Sequence, residues 1–232
     1  CPACGPQLLL QDRHGQILAH ADAALQGAVE QLRQGAILAL KGVGGYQLVV
    51  DASNDAAVQR LRERKSRPAK PLAIMSASVA AARVFAPIGS LEQQALESPA
   101  APIVLVRKNP AAAGLLAESL APGIPLLGIL LPASPLHHLL AAACPQPLVM
   151  TSGNLSGEPL CIGETEALAR LGNIADVHLT HNRPIQRPLD DSVLRIVAGD
   201  TLMLRRGRGF SPTVTVSTDL PERLALGGHL KN

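Results

Sequence analysis

The chain has 232 residues, of which 47% are hydrophobic and 17% charged, and its 21 basic and 18 acidic side chains give a formal net charge of +3. This composition argues against a disordered chain, and one Tyr, two Phe and no Trp leave few rings for stacking the bases of single-stranded nucleic acid. No apolar run reaches roughly 20 residues and no secretory signal pattern is present, which predicts a cytoplasmic protein without a membrane span.

Hydrophobic periodicity predicts strands that alternate with helices along the chain. In chain order the pattern predicts a helix over 22–34, strands over 36–40 and 46–50, a helix over 54–65, a strand over 72–75, helices over 78–85 and 90–97, strands over 103–106 and 126–131, a helix from 135, a strand over 148–150, a helix over 164–171, and strands over 175–179, 193–197 and 202–204. This alternation indicates an α/β domain with a twisted, mixed sheet flanked by helices.

The first residues, Cys1-Pro-Ala-Cys-Gly-Pro6, contain a CxxC pair. Such a pair supplies two thiolates to tetrahedral zinc, which needs two further ligands. We expect residues 1–6 to be the end of a zinc-finger module whose other ligands lie outside this chain; the alternative is an exposed CxxC without metal. Residues 7–20 are predicted to be a linker, 21–218 one domain, and 219–232 a linker into a following domain.

Six cations lie between Arg60 and Lys70, with Glu63 as the single acid among them. Those at 60, 62 and 64 lie on the predicted helix, where a basic face is usually solvated. In contrast, Lys65, Arg67 and Lys70 lie in a Pro-stiffened loop before a buried strand, and α/β sheets place ligand groups at such strand ends. Because clustered cations repel one another, an anion would stabilise them. The loop predicts a site for a polyphosphate or a nucleic-acid backbone.

Three further segments carry groups that suit a ligand. Thr151-Ser-Gly-Asn154 follows a buried strand and offers hydroxyl, amide and backbone groups for phosphate or ribose, although it is also a good turn sequence. Asp190-Asp191 could hold Mg²⁺ or begin a hairpin, and residue type favours the hairpin. The three cations Arg205, Arg206 and Arg208 could form a surface turn or a second anion contact.

Together these segments resemble the YrdC-like domain family. In that family Lys-x-Arg and Ser-x-Asn elements bind nucleotide, and here they fall on Lys65 and Arg67, and on Ser152 and Asn154. The matching segments are Lys41-Gly-Val-Gly-Gly-Tyr-Gln-Leu48, Asp51-Ala-Ser-Asn54, Arg62–Leu72, Thr151–Glu158 and Asp190-Asp-Ser-Val193. The segments that favour the HypF branch, the carbamoyltransferases of [NiFe]-hydrogenase maturation, are the CPxCGP start, Pro135-Leu-His-His-Leu-Leu140 and Leu226-Gly-Gly-His-Leu-Lys-Asn232.

The resemblance implies an open mixed sheet with a concave basic cleft, and a reaction of ATP with carbamate, derived from carbamoyl phosphate, that gives carbamoyl-adenylate and pyrophosphate. It also implies Mg²⁺ arriving with ATP, Zn²⁺ in the full-length protein and HypE as the acceptor of the carbamoyl group. Lys65 and Arg67 would bind phosphates, and Tyr46 would orient the acyl substrate. On weaker matches to the family pattern, the resemblance also assigns Ser192, Arg205 and Arg206 to positions near the nucleotide. We further hypothesise that His137 or His138 shapes the carbamate pocket.

Two alternatives remain open at this point. Threonylcarbamoyl-adenylate synthases of tRNA modification share the same signature, but Gly42-Val-Gly-Gly45 departs from the Thr-rich run typical of those enzymes. A module that binds double-stranded RNA or tRNA without chemistry would also use basic groups, and its binding would weaken steeply with salt. The low net charge and the few aromatic residues rank nucleic-acid binding below catalysis.

Overall fold

The computed structural model describes residues 5–212, so Cys1, Cys4 and the predicted C-terminal linker lie outside the described residues. Eleven strands are formed: β1 (Leu8–Asp12), β2 (Ile17–His20), β3 (Leu38–Lys41), β4 (Tyr46–Asp51), β5 (Ala73–Met75), β6 (Ile103–Arg107), β7 (Leu126–Leu130), β8 (Leu148–Ser152), β9 (Val177–His181), β10 (Val193–Val197) and β11 (Asp200–Arg205). Six α-helices accompany them within residues 5–212: α1 (Ala21–Arg33), α2 (Asp55–Arg64), α3 (Val79–Ala82), α4 (Ser90–Leu96), α5 (Pro135–Ala143) and α6 (Glu164–Leu171).

All eleven strands belong to one mixed sheet in the order β11-β10-β6-β7-β5-β8-β4-β3-β9-β1-β2. The pairs β3–β9, β5–β7 and β6–β10 are parallel, whereas β4 pairs antiparallel with both β3 and β8. This architecture confirms the predicted α/β fold with a large mixed sheet and flanking helices. Among the helices of residues 5–212, none combines the length and the apolar character needed to cross a bilayer.

The N-terminal part differs from the prediction, because residues 7–20 form strands instead of a linker. β1 pairs antiparallel with both β2 and β9, so the segment extends the sheet. The turn is built by Asp12, whose Oδ1 accepts hydrogen bonds from the main-chain N–H of His14 at 2.8 Å and of Gln16 at 2.9 Å. Gly15 completes it at a φ of +83°. An Asp-x-x-Gly turn after three leucines is the signal that identifies this hairpin.

The sheet has a hydrophobic cluster on each face, as expected when both faces are covered by helices. Strand residues alternate between the two clusters, so Leu48 and Val50 lie in one and Val49 lies in the other. The cluster that contains Leu48 includes buried residues of α2 and α6, and the other includes buried residues of α1 and α5. The second face also carries the cleft described next, where it extends over β5, β6 and β7.

Candidate functional site

The loop that follows α2 is held in place by Arg62, a residue that the sequence predicts to be solvated. Arg62 is only 7% exposed. Its guanidinium donates to the carbonyl oxygens of Arg67 at 2.8 Å, Lys70 at 3.2 Å and Leu120 at 3.0 Å, and also to those of Pro68 and Ser119. The prediction is wrong for Arg62 because the loop folds back over the end of α2 and covers this side chain. Arg62 therefore fixes the conformation of the basic loop.

Lys65 joins the basic loop to the turn that follows β8. It is 2% exposed, and its Nζ donates to the carbonyl of Ser152 at 2.6 Å and to Oδ1 of Asn154 at 3.0 Å, with the carbonyl of Asn154 as a third acceptor. The Lys-x-Arg and Ser-x-Asn elements, 87 residues apart between Lys65 and Ser152, are thus in direct contact.

The turn itself depends on a close approach to β4. A Cβ added to Gly153 would lie 2.6 Å from the main chain of Tyr46, so only glycine fits there without displacement. Ser152 Oγ donates to Asn154 Oδ1 at 2.6 Å, and Asn154 is 2% exposed. Both side chains are therefore fixed by neighbours, and Ser152 lines the cavities on either side of the turn.

Arg67 lies where the loop meets the cleft. Its Nη1 donates to Thr151 Oγ1 at 3.3 Å and its Nε to the carbonyl of Lys70 at 3.2 Å. Burial, together with the positive charges of Arg62 and Arg205, lowers the pKa of Arg67 to about 10. Because both causes act against the charged form, a bound anion would relieve the repulsion and stabilise this guanidinium.

Two adjoining cavities of about 270 and 200 Å³ form the cleft, and both are lined by Arg67, Lys70 and Ser152. The larger has an apolar floor of Ala73, Leu105, Gly128 and Met150, with Arg205 on its rim. A Cβ on Gly128 would lie 3.1 Å from Ile103 Cγ2, so this glycine keeps the floor flat. The smaller cavity is also lined by Lys65 and Asn154. The cleft thus combines an apolar surface with a cationic end.

A third, smaller cavity of about 40 Å³ meets the cleft at Ser152, Asp190 and Asp191. It is also lined by Gln47 and by His137, the first of the two adjacent histidines of α5. His137 is 5% exposed, whereas His138 is exposed. Burial lowers the pKa of His137 to about 4, so the ring is neutral near pH 7.

Gln47 is the residue of this small cavity that sequence reasoning missed. Its Oε1 lies 2.9 Å from His137 Nε2, and its Nε2 donates to Asp191 Oδ2 at 3.4 Å. Asp191 is paired in turn with Arg208, whose Nη2 is 3.0 Å from Asp191 Oδ1. The available signal was a polar residue in the apolar strand Tyr46–Val50, on the strand face opposite Tyr46.

Of the other residues predicted for the site, Tyr46 and Ser192 are buried inside the protein. Tyr46 is fully buried, and its hydroxyl is among the buried polar atoms of residues 5–212 that have no partner. Burial raises the pKa of this phenol, with Glu164 as the next cause. The side chain packs in the core, and Tyr46 also lines the small cavity, so its role in orienting an acyl substrate stays a prediction. Ser192 is also fully buried, and its hydroxyl bonds Gly207 N–H and the Arg208 carbonyl within the chain.

The resemblance predicts two arginines at the end of β11 to lie near the nucleotide. Of these, Arg205 lines the cleft and donates to the Asp191 carbonyl at 2.8 Å. Arg206 is exposed and does not line the cavities that form the cleft. Within residues 5–212, His, Cys, Asp and Glu side chains nowhere form a group of three or more that could hold a metal ion. The predicted Cys1 and Cys4 zinc ligands lie outside this range.

Comparisons with known proteins agree on the family. A family model described as "Telomere recombination", that of the Sua5, YciO and YrdC proteins, matches residues 30–207. The chain is 48% identical over 228 residues to the carbamoyltransferase HypF of Synechocystis, covering 97% of this chain and 30% of that protein. It is 33% identical over 154 residues to the threonylcarbamoyl-AMP synthase of Vibrio cholerae, covering 64% of this chain and 80% of that protein.

The fold is similar to that of a crystal structure of full-length HypF in its phosphate- and nucleotide-bound form. The TM-score is 0.85 at 39% identity, and the match covers 91% of this chain and 27% of that one. The chain therefore spans about 30% of the length of the HypF relatives that it matches.

Proposed function

Because the chain belongs to the Sua5/YciO/YrdC family, we propose that it forms an adenylate, joining carbamate to ATP to give carbamoyl-adenylate and pyrophosphate. The observation that carries this proposal is the cleft, in which an apolar floor ends at Arg67 and Lys70. An apolar floor accommodates a nucleobase and the cations accommodate the phosphates. The similar HypF structure holds phosphate and nucleotide, which supports ATP as the ligand of this cleft.

The chemistry requires an anion to approach a more highly charged anion. A carbamate oxygen attacks the α-phosphorus of ATP, the bond to the bridging oxygen breaks, and pyrophosphate leaves with the electron pair. Catalysis then depends on neutralising charge and aligning the reactants. Arg67, whose planar guanidinium suits bidentate phosphate contact, is proposed to bind the phosphates with Lys70 beside it. Mg²⁺ is expected to arrive bound to ATP.

Lys65, Ser152 and Asn154 are proposed to present the turn after β8 to the nucleotide. Lys65 binds two carbonyls and one side-chain oxygen of this turn, so its first role is to hold the turn's shape. Ser152 reaches both the cleft and the small cavity, which makes it the natural contact between nucleotide and acyl substrate. Arg205, on the rim, is proposed as a further phosphate contact.

The size of the small cavity favours carbamate over threonine as the acyl substrate. About 40 Å³ is room for roughly three water-sized groups, which suits carbamate but not threonine together with bicarbonate. Leu189 lines the cavity and approaches the Gly-rich turn so closely that a Cβ on Gly44 would lie 2.5 Å from its carbonyl oxygen. Threonylcarbamoyl-adenylate formation remains the second candidate, because a relative with that name matches 80% of its own length.

The setting of this step in a longer protein is also proposed, not observed. Carbamate would come from carbamoyl phosphate, the carbamoyl group would pass to HypE, and the whole would work in the cytoplasm on [NiFe]-hydrogenase maturation. Cys1 and Cys4 would be half of a zinc site, residues 21–218 the adenylating domain, and residues 219–232 the link to the next domain. A double-stranded RNA-binding role is disfavoured by the acidic Asp190 and Asp191 in the same cleft.

Exchange of labelled pyrophosphate into ATP tests the proposal. Equilibrated ammonium bicarbonate contains carbamate, so it should support exchange. Neither sodium bicarbonate by itself nor ammonium chloride by itself should support it. Exchange with threonine plus sodium bicarbonate would transfer the chain to the threonylcarbamoyl branch. No exchange under any of these conditions, with salt-sensitive binding of duplex RNA, would refute both enzymatic candidates.

A further inference from the structure

The polar chain Ala133–His137–Gln47–Asp191 along the small cavity has a hydrogen-bond direction that its members fix. The main-chain N–H of Ala133 can only donate, and it lies 3.3 Å from His137 Nδ1, so Nδ1 accepts. A neutral ring that accepts at Nδ1 carries its proton at Nε2. His137 Nε2 therefore donates to the atom 2.9 Å away, which must be the carbonyl oxygen of Gln47.

The same direction is required from the other end of the chain. The Asp191 carboxylate can only accept, and it lies 3.4 Å from the Gln47 amide nitrogen. Both neighbours thus demand one orientation of the Gln47 amide, with its NH₂ group on the side of Asp191. An amide nitrogen has two hydrogens, and Asp191 accepts one of them over a long distance.

We propose that Gln47 recognises the acyl substrate by donating from its amide NH₂ to a carboxyl oxygen of carbamate, and that His137 is the positioning residue that holds the amide in this orientation. The inference rests on the proposed function, since it assigns a substrate-recognition residue to the acyl pocket of that same site. It changes the role of His137, which touches Gln47 and not the reacting atoms.

The charge of Asp191 does not forbid an anion in this cavity. Arg208 Nη2 lies 3.0 Å from Asp191 Oδ1, and Arg208 also lines the cavity. Its guanidinium is held by the carbonyls of Ala100 at 3.0 Å and Ala101 at 2.9 Å. The charge of Asp191 is thus compensated by a guanidinium that lines the same cavity.

Gln47→Leu tests the direct contact, with ATP–pyrophosphate exchange in equilibrated ammonium bicarbonate as the assay. Loss of a hydrogen bond to a charged group should raise the KM for carbamate about 10- to 100-fold. The KM for ATP and kcat should stay within about twofold, because the cleft that binds ATP is unchanged. Gln59→Leu, the same substitution at an exposed position of α2, is the matched control and should match the unmodified chain.

The second variants separate recognition from mere packing. Gln47→Glu keeps the shape but places a carboxylate against the substrate and Asp191, so carbamate-dependent exchange should be lost while ATP binding persists. His137→Leu should raise the KM for carbamate as Gln47→Leu does, His137→Gln should restore most of the affinity through its own amide donor, and the Leu/Leu double variant should be no worse than Gln47→Leu alone.

The outcomes distinguish this inference from the function on which it rests. If the unmodified chain exchanges with carbamate and Gln47→Leu keeps the same KM for carbamate, Gln47 is only a structural link and the inference is overturned. An equal rise in the KM for carbamate and the KM for ATP, together with a fall in kcat, would overturn it as well, since these changes indicate a collapsed cleft. If the unmodified chain shows no carbamate-dependent exchange, the proposed function fails, and the inference falls with it.

Discussion

Replacement of Arg62 by Leu tests whether the basic loop owes its shape to a buried guanidinium. Leu retains apolar volume but removes every bond to the five carbonyls that Arg62 contacts, those of Arg67, Pro68, Lys70, Ser119 and Leu120. A net loss of about 1 kcal/mol for each bond would give about 5 kcal/mol if none were replaced. Because Pro68 and Lys70 are exposed, water can replace the bonds to these two carbonyls, and the three that remain give an expected loss of about 3 kcal/mol.

Urea unfolding followed by circular dichroism measures this loss of stability, and titration with ATP measures whether the loop still binds the nucleotide. The midpoint should fall with an unchanged slope, and the affinity for ATP should fall as well, because Arg67 and Lys70 are no longer held together. Arg83→Leu is the control: Arg83 is exposed and its side chain donates to Gln93 Oε1 at 2.7 Å, so a change within about 0.5 kcal/mol is expected. Equal stability and ATP affinity in Arg62→Leu and Arg83→Leu would refute the reasoning.

Three further predictions follow from the same geometry. Arg67→Ala should raise the KM for ATP about 10- to 100-fold with little change in the urea midpoint; an unchanged KM would remove Arg67 from the phosphate site. Gly153→Ala should abolish exchange, since its Cβ would lie 2.6 Å from the main chain of β4, whereas Gly163→Ala, whose Cβ would have 3.7 Å of clearance, should be tolerated; the reverse result would exclude this close approach. Burial lowers the pKa of His137 and of His178 to about 4, so as pH falls these rings bind protons in the unfolded chain before they do in the folded one. Their contribution to stability is complete above about pH 6.5 and should be lost as pH decreases from about 6.5 towards 4. His137→Gln should reduce this dependence of the free energy of unfolding on pH in urea titrations, and an unchanged dependence would contradict the buried neutral ring.

Local patterns predicted the regular elements well where capping and periodicity agree. The helix predicted over 164–171 is α6 (Glu164–Leu171), and the helix predicted from Pro135 is α5. The helix after Asn54 begins where expected, because Asn54 Oδ1 accepts from the N–H of Ala57 at 3.0 Å. The strands β1 and β2 were missed because the hairpin depends on Asp12, a turn residue that periodicity alone does not weigh.

Side-chain environment was harder to predict than secondary structure, because it depends on which segment covers a residue. The charge of Arg62 suggested solvent, but the loop 67–71 turns back onto it. Tyr46 was assigned to the acyl pocket by resemblance, which did not single out its neighbour Gln47, although both residues line the small cavity. Period-two reasoning on β4 would have separated these two residues once one of them was assigned to the core.

The direct contact of Lys65 with Ser152 and Asn154 changes what the two signature elements mean physically. An ammonium that binds the carbonyls of a turn compensates the partial charges of those oxygens and so fixes the conformation of the turn. The work of the Lys-x-Arg element is then divided. Lys65 shapes the turn after β8, while Arg67, with its pKa lowered to about 10 by burial and like charges, is the proposed phosphate contact. A polyphosphate bound as proposed would relieve the repulsion around Arg67, in a loop whose conformation Arg62 fixes.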